Sequence, residues 1–253
     1  MRERRRPVPD ARSPRLARIA SAERIELVTE TAGSLPPVYG ERWIHREDRT
    51  YRSFEPGRSK LAAALVHDWK GPVPASGEDW LYLGAATGTT ASHAADLIAP
   101  SGRVYAVERS PRSFARLLAL AQRWPGLLPI LGDARVPREY APFVPEVRGV
   151  YADIAQPDQV AIVRANAELF LAGPGASVVV ALKTASMGRG REASEHLADA
   201  ERALRSWVDL ARSVRLDPFH RSHYLVGGLV RAELFGGRGT LRVRPPRAPP
   251  RAR

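Results

Sequence analysis

The sequence predicts an α/β fold, a parallel sheet covered by helices on both faces behind a small antiparallel β domain. Three observations point there. Apolar runs of strand length alternate with helical patterns from Trp80 onward. A glycine-rich turn follows the first of those runs, and an acidic residue ends each of the next three. With 253 residues and 44% hydrophobic content the chain can build one main domain with a core.

Residues 1–18 carry seven arginines among prolines and read as a basic disordered tail. Residues 19–56 read as the small β domain. Its strand-like runs are Ile25-Glu-Leu-Val28, Trp43-Ile44-His45 and Thr50-Tyr-Arg-Ser-Phe54, separated by turn residues. The main domain spans 57–232. It opens with an amphipathic helix from Lys60 to Trp69, which Gly71-Pro-Val-Pro closes. Strands are expected at Trp80–Leu83, Val104–Val107, Leu128–Leu131, Gly149–Ala152, Ser177–Leu182 and Tyr224–Val230. Helices are expected near Thr89–Ile98, Pro111–Arg123, Pro157–Leu171 and Glu192–Leu210. Residues 233–253 return to an Arg/Pro-rich composition and read as a second disordered tail.

Composition narrows the function classes. The formal net charge of +12 favours a polyanionic partner, nucleic acid first, with the tails adding salt-sensitive affinity. Without cysteine there is no disulfide framework, thiolate metal site or cysteine nucleophile. The six histidines lack ligand spacing, so no metal is expected. No apolar run is long enough to span a membrane, and no apolar signal core follows the basic N-terminus. A cytoplasmic protein without a membrane partner is expected.

Lysine is scarce. Lys60, Lys70 and Lys183 stand beside thirty-six arginines. An ammonium can give up its proton when partly buried, whereas a guanidinium effectively cannot. Lys60 in Arg-Ser-Lys-Leu-Ala-Ala and Lys183 at the end of Ser177-Val-Val-Val-Ala-Leu-Lys are therefore candidates for proton chemistry. Lys70, before a Gly-Pro loop, reads as a surface residue.

In an open sheet of this kind, ligands bind beyond the carboxyl ends of the strands. There the first strand runs into Leu83-Gly84-Ala-Ala-Thr-Gly88-Thr-Thr90, where the backbone can approach a ligand and helix N–H groups are free. Ala86 occupies the place of the middle glycine of G-x-G-x-x-G, which disfavours a dinucleotide pyrophosphate. Glu108 is placed to accept both ribose hydroxyls, Asp133 suits an adenine amino group or a local N-cap, and Asp153 ends the fourth strand. This is the layout of a Rossmann-like S-adenosylmethionine methyltransferase fold.

Several strings together resemble the fibrillarin family, the ribose 2′-O-methyltransferases of box C/D guide-RNA particles. They are Arg58-Ser-Lys-Leu-Ala-Ala, Tyr82-Leu-Gly-Ala-Ala-Thr-Gly-Thr-Thr-Ala-Ser-His93, Val104-Tyr-Ala-Val-Glu-Arg-Ser-Pro-Arg112 and Pro129-Ile-Leu-Gly-Asp-Ala134. Ala152-Asp-Ile-Ala-Gln-Pro-Asp-Gln159 and the strand end at Lys183 complete the set, which covers about Gly33 to Val230. The N-terminus lacks the Gly/Arg-rich tail of eukaryotic members and is more similar to the archaeal form. The resemblance implies a catalytic tetrad at Lys60, Asp153, Lys183 and His223, with Lys183 as base and Lys60 as its electrostatic partner. It implies S-adenosylmethionine contacts at Gly84, Ala85, Thr89, Thr90, Glu108, Arg109, Asp133, Ala134, Asp153 and Gln156. It also implies a guide RNA with rRNA or tRNA targets, a Nop-family scaffold and a kink-turn-binding ribosomal-type protein. Two departures fall on the substrate side. Ser222 stands where the family has an acid before the histidine, and Thr184-Ala-Ser-Met-Gly-Arg-Gly lacks the family's Ile-Asp. The rival readings are a stand-alone tRNA or protein methyltransferase and an inactive particle scaffold.

Overall fold

The computed structural model describes residues 7–20, 25–31, 36–46, 48–188 and 190–236. Two sheets form, one for each predicted domain. The first is wholly antiparallel, in the order β1-β2-β3-β5-β4. Its strands are β1 (Val8–Asp10), β2 (Ser13–Ala20), β3 (Ile25–Thr31), β4 (Trp43–Arg46) and β5 (Arg49–Ser53).

The expected boundary at residue 18 is corrected here, because β1 and β2 lie within the segment read as a tail. The physical reason is burial on both faces of β2: Leu16 is fully buried in the main core, Ala17 and Ile19 pack with Val28 on the other side, and the neighbouring arginines find partners. Arg12 donates to the carbonyls of Trp69 and Gly71 and pairs with Asp10, and Arg18 donates to the Leu65 carbonyl. Arginines that read as solvated charge fasten the β domain to the main one. The tail assigned to residues 1–6 lies outside the described residues.

The second sheet runs β11-β13-β10-β9-β6-β7-β8, with β12 (Val214–Arg215) also paired to β13. Strands β6 (Trp80–Leu83), β7 (Val104–Glu108), β8 (Leu127–Leu131), β9 (Gly149–Ala152) and β10 (Ser177–Lys183) are parallel. The expectation of a purely parallel sheet is corrected by β13 (His223–Val230) and β11 (Val208–Leu210), which run antiparallel at that edge. The helix expected to reach Leu210 stops at Arg205. Val208 and Leu210 instead take up pairing with Val230 and Gly228, and Trp207 is buried at the bend.

The period-two alternation of strands sorts side chains into two cores. Trp80, Tyr82, Val179 and Ala181 face one side with helices α1 (Lys60–Val66), α2 (Thr89–Ile98) and α3 (Pro111–Ala121). Leu81, Leu83, Val178, Val180 and Leu182 face the other with α4 (Gln159–Phe170) and α5 (Ala193–Arg205). Local chemistry starts these helices. Ser59 Oγ accepts the Ala62 N–H and caps α1, and Ser110 caps α3 with Pro111 at its first position. A short 3₁₀ turn at Ala232–Phe235 buries Leu234, so the predicted C-terminal tail begins later than residue 233, and residues 237–253 lie outside those described. Among the described residues no helix is long and apolar enough to cross a membrane.

A buried polar cluster joins the two domains. Arg52 and Asp96 are 3.0 Å apart, and Arg52 Nε lies 3.0 Å from Glu41 Oε1, an ion pair without a hydrogen-bonding angle. Arg52 also donates to Ser92 Oγ and lies over the Trp124 ring. Asp96 accepts from Thr31 Oγ1 at 2.7 Å and from Trp124 Nε1 at 3.1 Å. His93 bonds Thr29 Oγ1 and the Tyr39 hydroxyl, both at 2.8 Å, and stacks on Phe54. Burial, reinforced by Arg52, holds His93 well below the usual histidine range, so it is neutral. Removing one partner of such a cluster strands a buried charge. Arg52→Met should lower the unfolding free energy by about 3–5 kcal/mol in urea titration. A loss below about 1 kcal/mol would show that apolar contacts alone dock the β domain.

Candidate active site

The parallel strand order reverses direction at β6, and the residues after β6, β7, β8 and β9 gather there. Leu83 pairs with Ala152, so Gly84 and Asp153 leave the sheet side by side. Gly84 has φ +79°, and a Cβ on it would lie 2.4 Å from the Asp153 carbonyl oxygen. Only glycine admits this approach. Ala86, itself at φ +50°, donates its N–H to Glu108 Oε2 at 2.8 Å, and Ser110 N–H donates to Oε1 at 2.7 Å. Glu108 is 8% exposed and held by two amides, which leaves about two of its four lone-pair positions for a ligand.

The resulting cleft of about 200 Å³ is lined by the predicted Gly84, Glu108, Arg109, Asp133, Ala134, Asp153 and Gln156. Three other predicted contacts lie outside that lining. Ala85 is buried with its N–H on the Val107 carbonyl, and Thr89 begins α2. Thr90 turns its hydroxyl 3.0 Å to Ser59 Oγ, toward α1. Ala86, Gly132, Arg135, Ile154 and Ile162 line the cleft instead, without having been expected.

Asp133 lies in the cleft but is not a bare acceptor. Its Oδ1 takes the Arg135 N–H at 3.0 Å, the local turn contact that the sequence left open, and the Arg135 guanidinium holds both oxygens. That hydrogen-bonded pair pulls the Asp133 carboxyl down to about 2. Arg135→Ala should return its titration toward 3.8, read from the carboxyl carbon shift by NMR. The depressed value means that the pair's contribution is complete above pH about 4 and lost as pH falls toward 2. An unchanged titration would assign the shift to the backbone alone.

The other end of the site collects the predicted tetrad. Lys60 is the first residue of α1, and its Nζ lies 2.7 Å from Asp153 Oδ2, both side chains being largely buried. Lys183 closes β10 and His223 opens β13, and the register pairs them directly. The buried Gln159 side chain clasps Lys183, accepting its N–H at 3.0 Å and donating to its C=O at 3.2 Å. Among the described residues no carboxylate forms an ion pair with the Lys183 ammonium.

His223 Nδ1 lies 2.7 Å from the Arg221 carbonyl, so Nδ1 carries the proton and Nε2 is left as an acceptor. Burial, with help from Lys60, lowers its pKa and keeps the ring neutral at neutral pH. Ser222, at φ +57°, accepts both the N–H and the hydroxyl of Thr184 on its carbonyl. A backbone contact thus ties the loop after Lys183 to the strand that carries His223. Gln159 and Arg135 were missed because no spacing rule reads a side chain that braces another residue's backbone or carboxylate. The sole sequence signal for Gln159 was its membership of the Ala-Gln-Pro-Asp-Gln string.

The chain is similar to known proteins in sequence and fold. The sequence pattern of the Fibrillarin family matches residues 16–232. The fibrillarin-like rRNA/tRNA 2′-O-methyltransferase of Methanopyrus kandleri is 42% identical over 187 residues, 74% of this chain and 80% of that protein. The Aeropyrum pernix fibrillarin solved with natively bound S-adenosyl-L-methionine superposes with a TM-score of 0.80 at 37% identity, covering 90% of this chain and 99% of that one. The chain of a fibrillarin/Nop5p complex aligns at 0.74 and 35% identity, over 82% of this chain and 94% of that one. With the cofactor turn, the strand-end carboxylates and the Lys60–Asp153 pair in place, the chain belongs to the fibrillarin family.

Proposed function

We propose that the cleft holds S-adenosylmethionine and that the Lys60–Asp153 end receives an RNA ribose. The protein is an S-adenosylmethionine-dependent ribose 2′-O-methyltransferase of rRNA, and of tRNA, working as the catalytic subunit of a box C/D ribonucleoprotein. The observation that carries this reading is Asp153, which lines the cleft while its carboxylate grips Lys60. A methyl donor and a hydroxyl acceptor can therefore meet at one residue.

The residues present fit the cofactor. Glu108 would accept the ribose hydroxyls, Asp133 with Ala134 would meet the adenine, and the Gly84 turn would admit the methionine portion close to the backbone. Bound there, the sulfonium supplies an electrophilic methyl group. Lys183 is the residue that would take the 2′-hydroxyl proton when the methyl group passes to that oxygen and leaves the thioether behind. Lys60, fixed by Asp153, holds positive charge beside the oxygen as it becomes anionic. His223 borders the acceptor. Much of the rate comes from alignment of oxygen, methyl and sulfur.

The β domain is occupied in docking to α2, which leaves no dedicated RNA-reading module among the described residues. Target choice is assigned to a guide RNA, with a Nop-family scaffold and a kink-turn-binding protein arranging it. The fibrillarin/Nop5p complex supports the scaffold. Site-selective methylation of bare tRNA by the isolated chain would favour the stand-alone alternative.

Two measurements test the site. Glu108→Gln should weaken S-adenosylmethionine binding about 10- to 100-fold by calorimetry, since one carboxylate oxygen becomes a donor facing donors. Equal affinity would remove Glu108 from the cofactor site. Lys183→Arg should abolish single-turnover methyl transfer in the assembled particle while cofactor affinity survives. Lys70→Arg is its control, because Lys70 is exposed and pairs with Asp68 among the described residues. Near-parental transfer by Lys183→Arg would show that charge suffices and proton transfer is not its role.

A further inference from the structure

The loop between β12 and β13 touches α1 at both ends. It is closed on itself: Leu216 N–H donates to the His223 carbonyl at 3.0 Å and His220 N–H to the Leu216 carbonyl at 2.9 Å. From it Phe219 packs against His67, the residue that caps the C-terminus of α1, with ring centroids 5.6 Å apart. His220 reaches the opposite end. Its Nε2 lies 2.9 Å from the Pro56 carbonyl, in the turn that leads to Ser59, the N-cap. Arg58 and Ser59 both donate their N–H groups to the Glu55 carbonyl, so residues 55–59 form one turn that delivers Lys60. His220 also stands edge-on to His223, 6.1 Å between centroids, within the fields of Lys60 and Asp153.

α1 spans only Lys60–Val66, too short to fix its own orientation. The direction of the Lys60 side chain is therefore set by whatever holds the turn before it. Ser59 Oγ meets Thr90 from the α2 side, and His220 holds the same turn from the β13 side. We propose that His220 is a positioning residue for Lys60, coupling the turn before α1 to the strand that presents His223. It acts on methyl transfer through Lys60 alone, touching neither cofactor nor ribose. This inference rests on the reading of Lys60 as part of the methyl-transfer site.

A double-mutant cycle tests it. Single-turnover methyl transfer would be measured in the assembled guide-RNA particle for His220→Ala, Lys60→Ala and the double variant. His220→Ala should slow transfer about 10- to 100-fold with the KM for target RNA unchanged. In the Lys60→Ala background it should have no further effect, because the group it positions is gone. His220→Gln, whose amide can still donate to the Pro56 carbonyl, should recover most of the rate. Thermal unfolding of each variant reads the loop's structural contribution separately. If the two single effects simply multiply in the double variant, or if His220→Ala transfers at the parental rate, the positioning role is overturned. A parental rate for Lys60→Ala is a different result, and it would remove the reading of the site together with this inference.

Discussion

The site is organised around the Lys60–Asp153 ion pair. Its two residues are 93 positions apart, one on a helix of two turns and the other at the end of a central strand. Their 2.7 Å separation can be kept only if the sheet, α1 and the loops around both are each fixed independently. Gly84 fixes the strand side, because the β6 and β9 ends can lie against each other only where no Cβ intervenes. The turn at residues 55–59 fixes the helix side. Lys60 is thereby brought to a carboxylate that also lines the cleft.

The β domain contributes by holding α2. Ser92, His93 and Asp96, all buried, face Arg52, Thr29 and Thr31 of the antiparallel sheet. A purely apolar interface would be at least as stable per unit area, since desolvating a charge pair offsets much of its attraction. What the polar cluster adds is a single registration, because its hydrogen bonds are satisfied at one relative placement of the two sheets. α2 begins at the cofactor turn and ends against this cluster. The placement of the β domain is thereby transmitted to the mouth of the cleft.

The fold was legible wherever a local pattern carried it. Trp80–Leu83, Thr89–Ile98 and Gly149–Ala152 lie where the sequence puts them, because period and turn chemistry agree there. Strands β1 and β2 were not legible, since Arg12, Arg15 and Arg18 direct their charge to carbonyls and carboxylates distant in sequence. The edge strand Val208–Leu210 was hidden by a helical pattern that continues past Arg205, and only pairing with β13 decides it. In the site, the strand-end carboxylates could be read because each ends an apolar run. Thr90 lies outside the cleft lining; from the sequence, a hydroxyl at a helix N-terminus looks the same whether it faces a ligand or, as here, Ser59. The string ending in His93 entered the sequence reading only as part of the family resemblance. Its far half belongs to the domain interface, a distinction that only tertiary packing reveals.

The division of labour between cations follows from their chemistry. The guanidinium of Arg52 sits fully buried between two carboxylates, and that of Arg135 grips Asp133 through both oxygens. Both tasks suit a planar, permanently charged fork. Lys60 makes one short contact with Asp153, as a compact ammonium with three donors can. Lys183 is held by its backbone through Gln159, and among the described residues no carboxylate pairs with its ammonium. An arginine there would keep its charge through any turnover. A chain that meets almost every other need for positive charge with arginine carries lysine at both of these positions, the first residue of α1 and the last of β10.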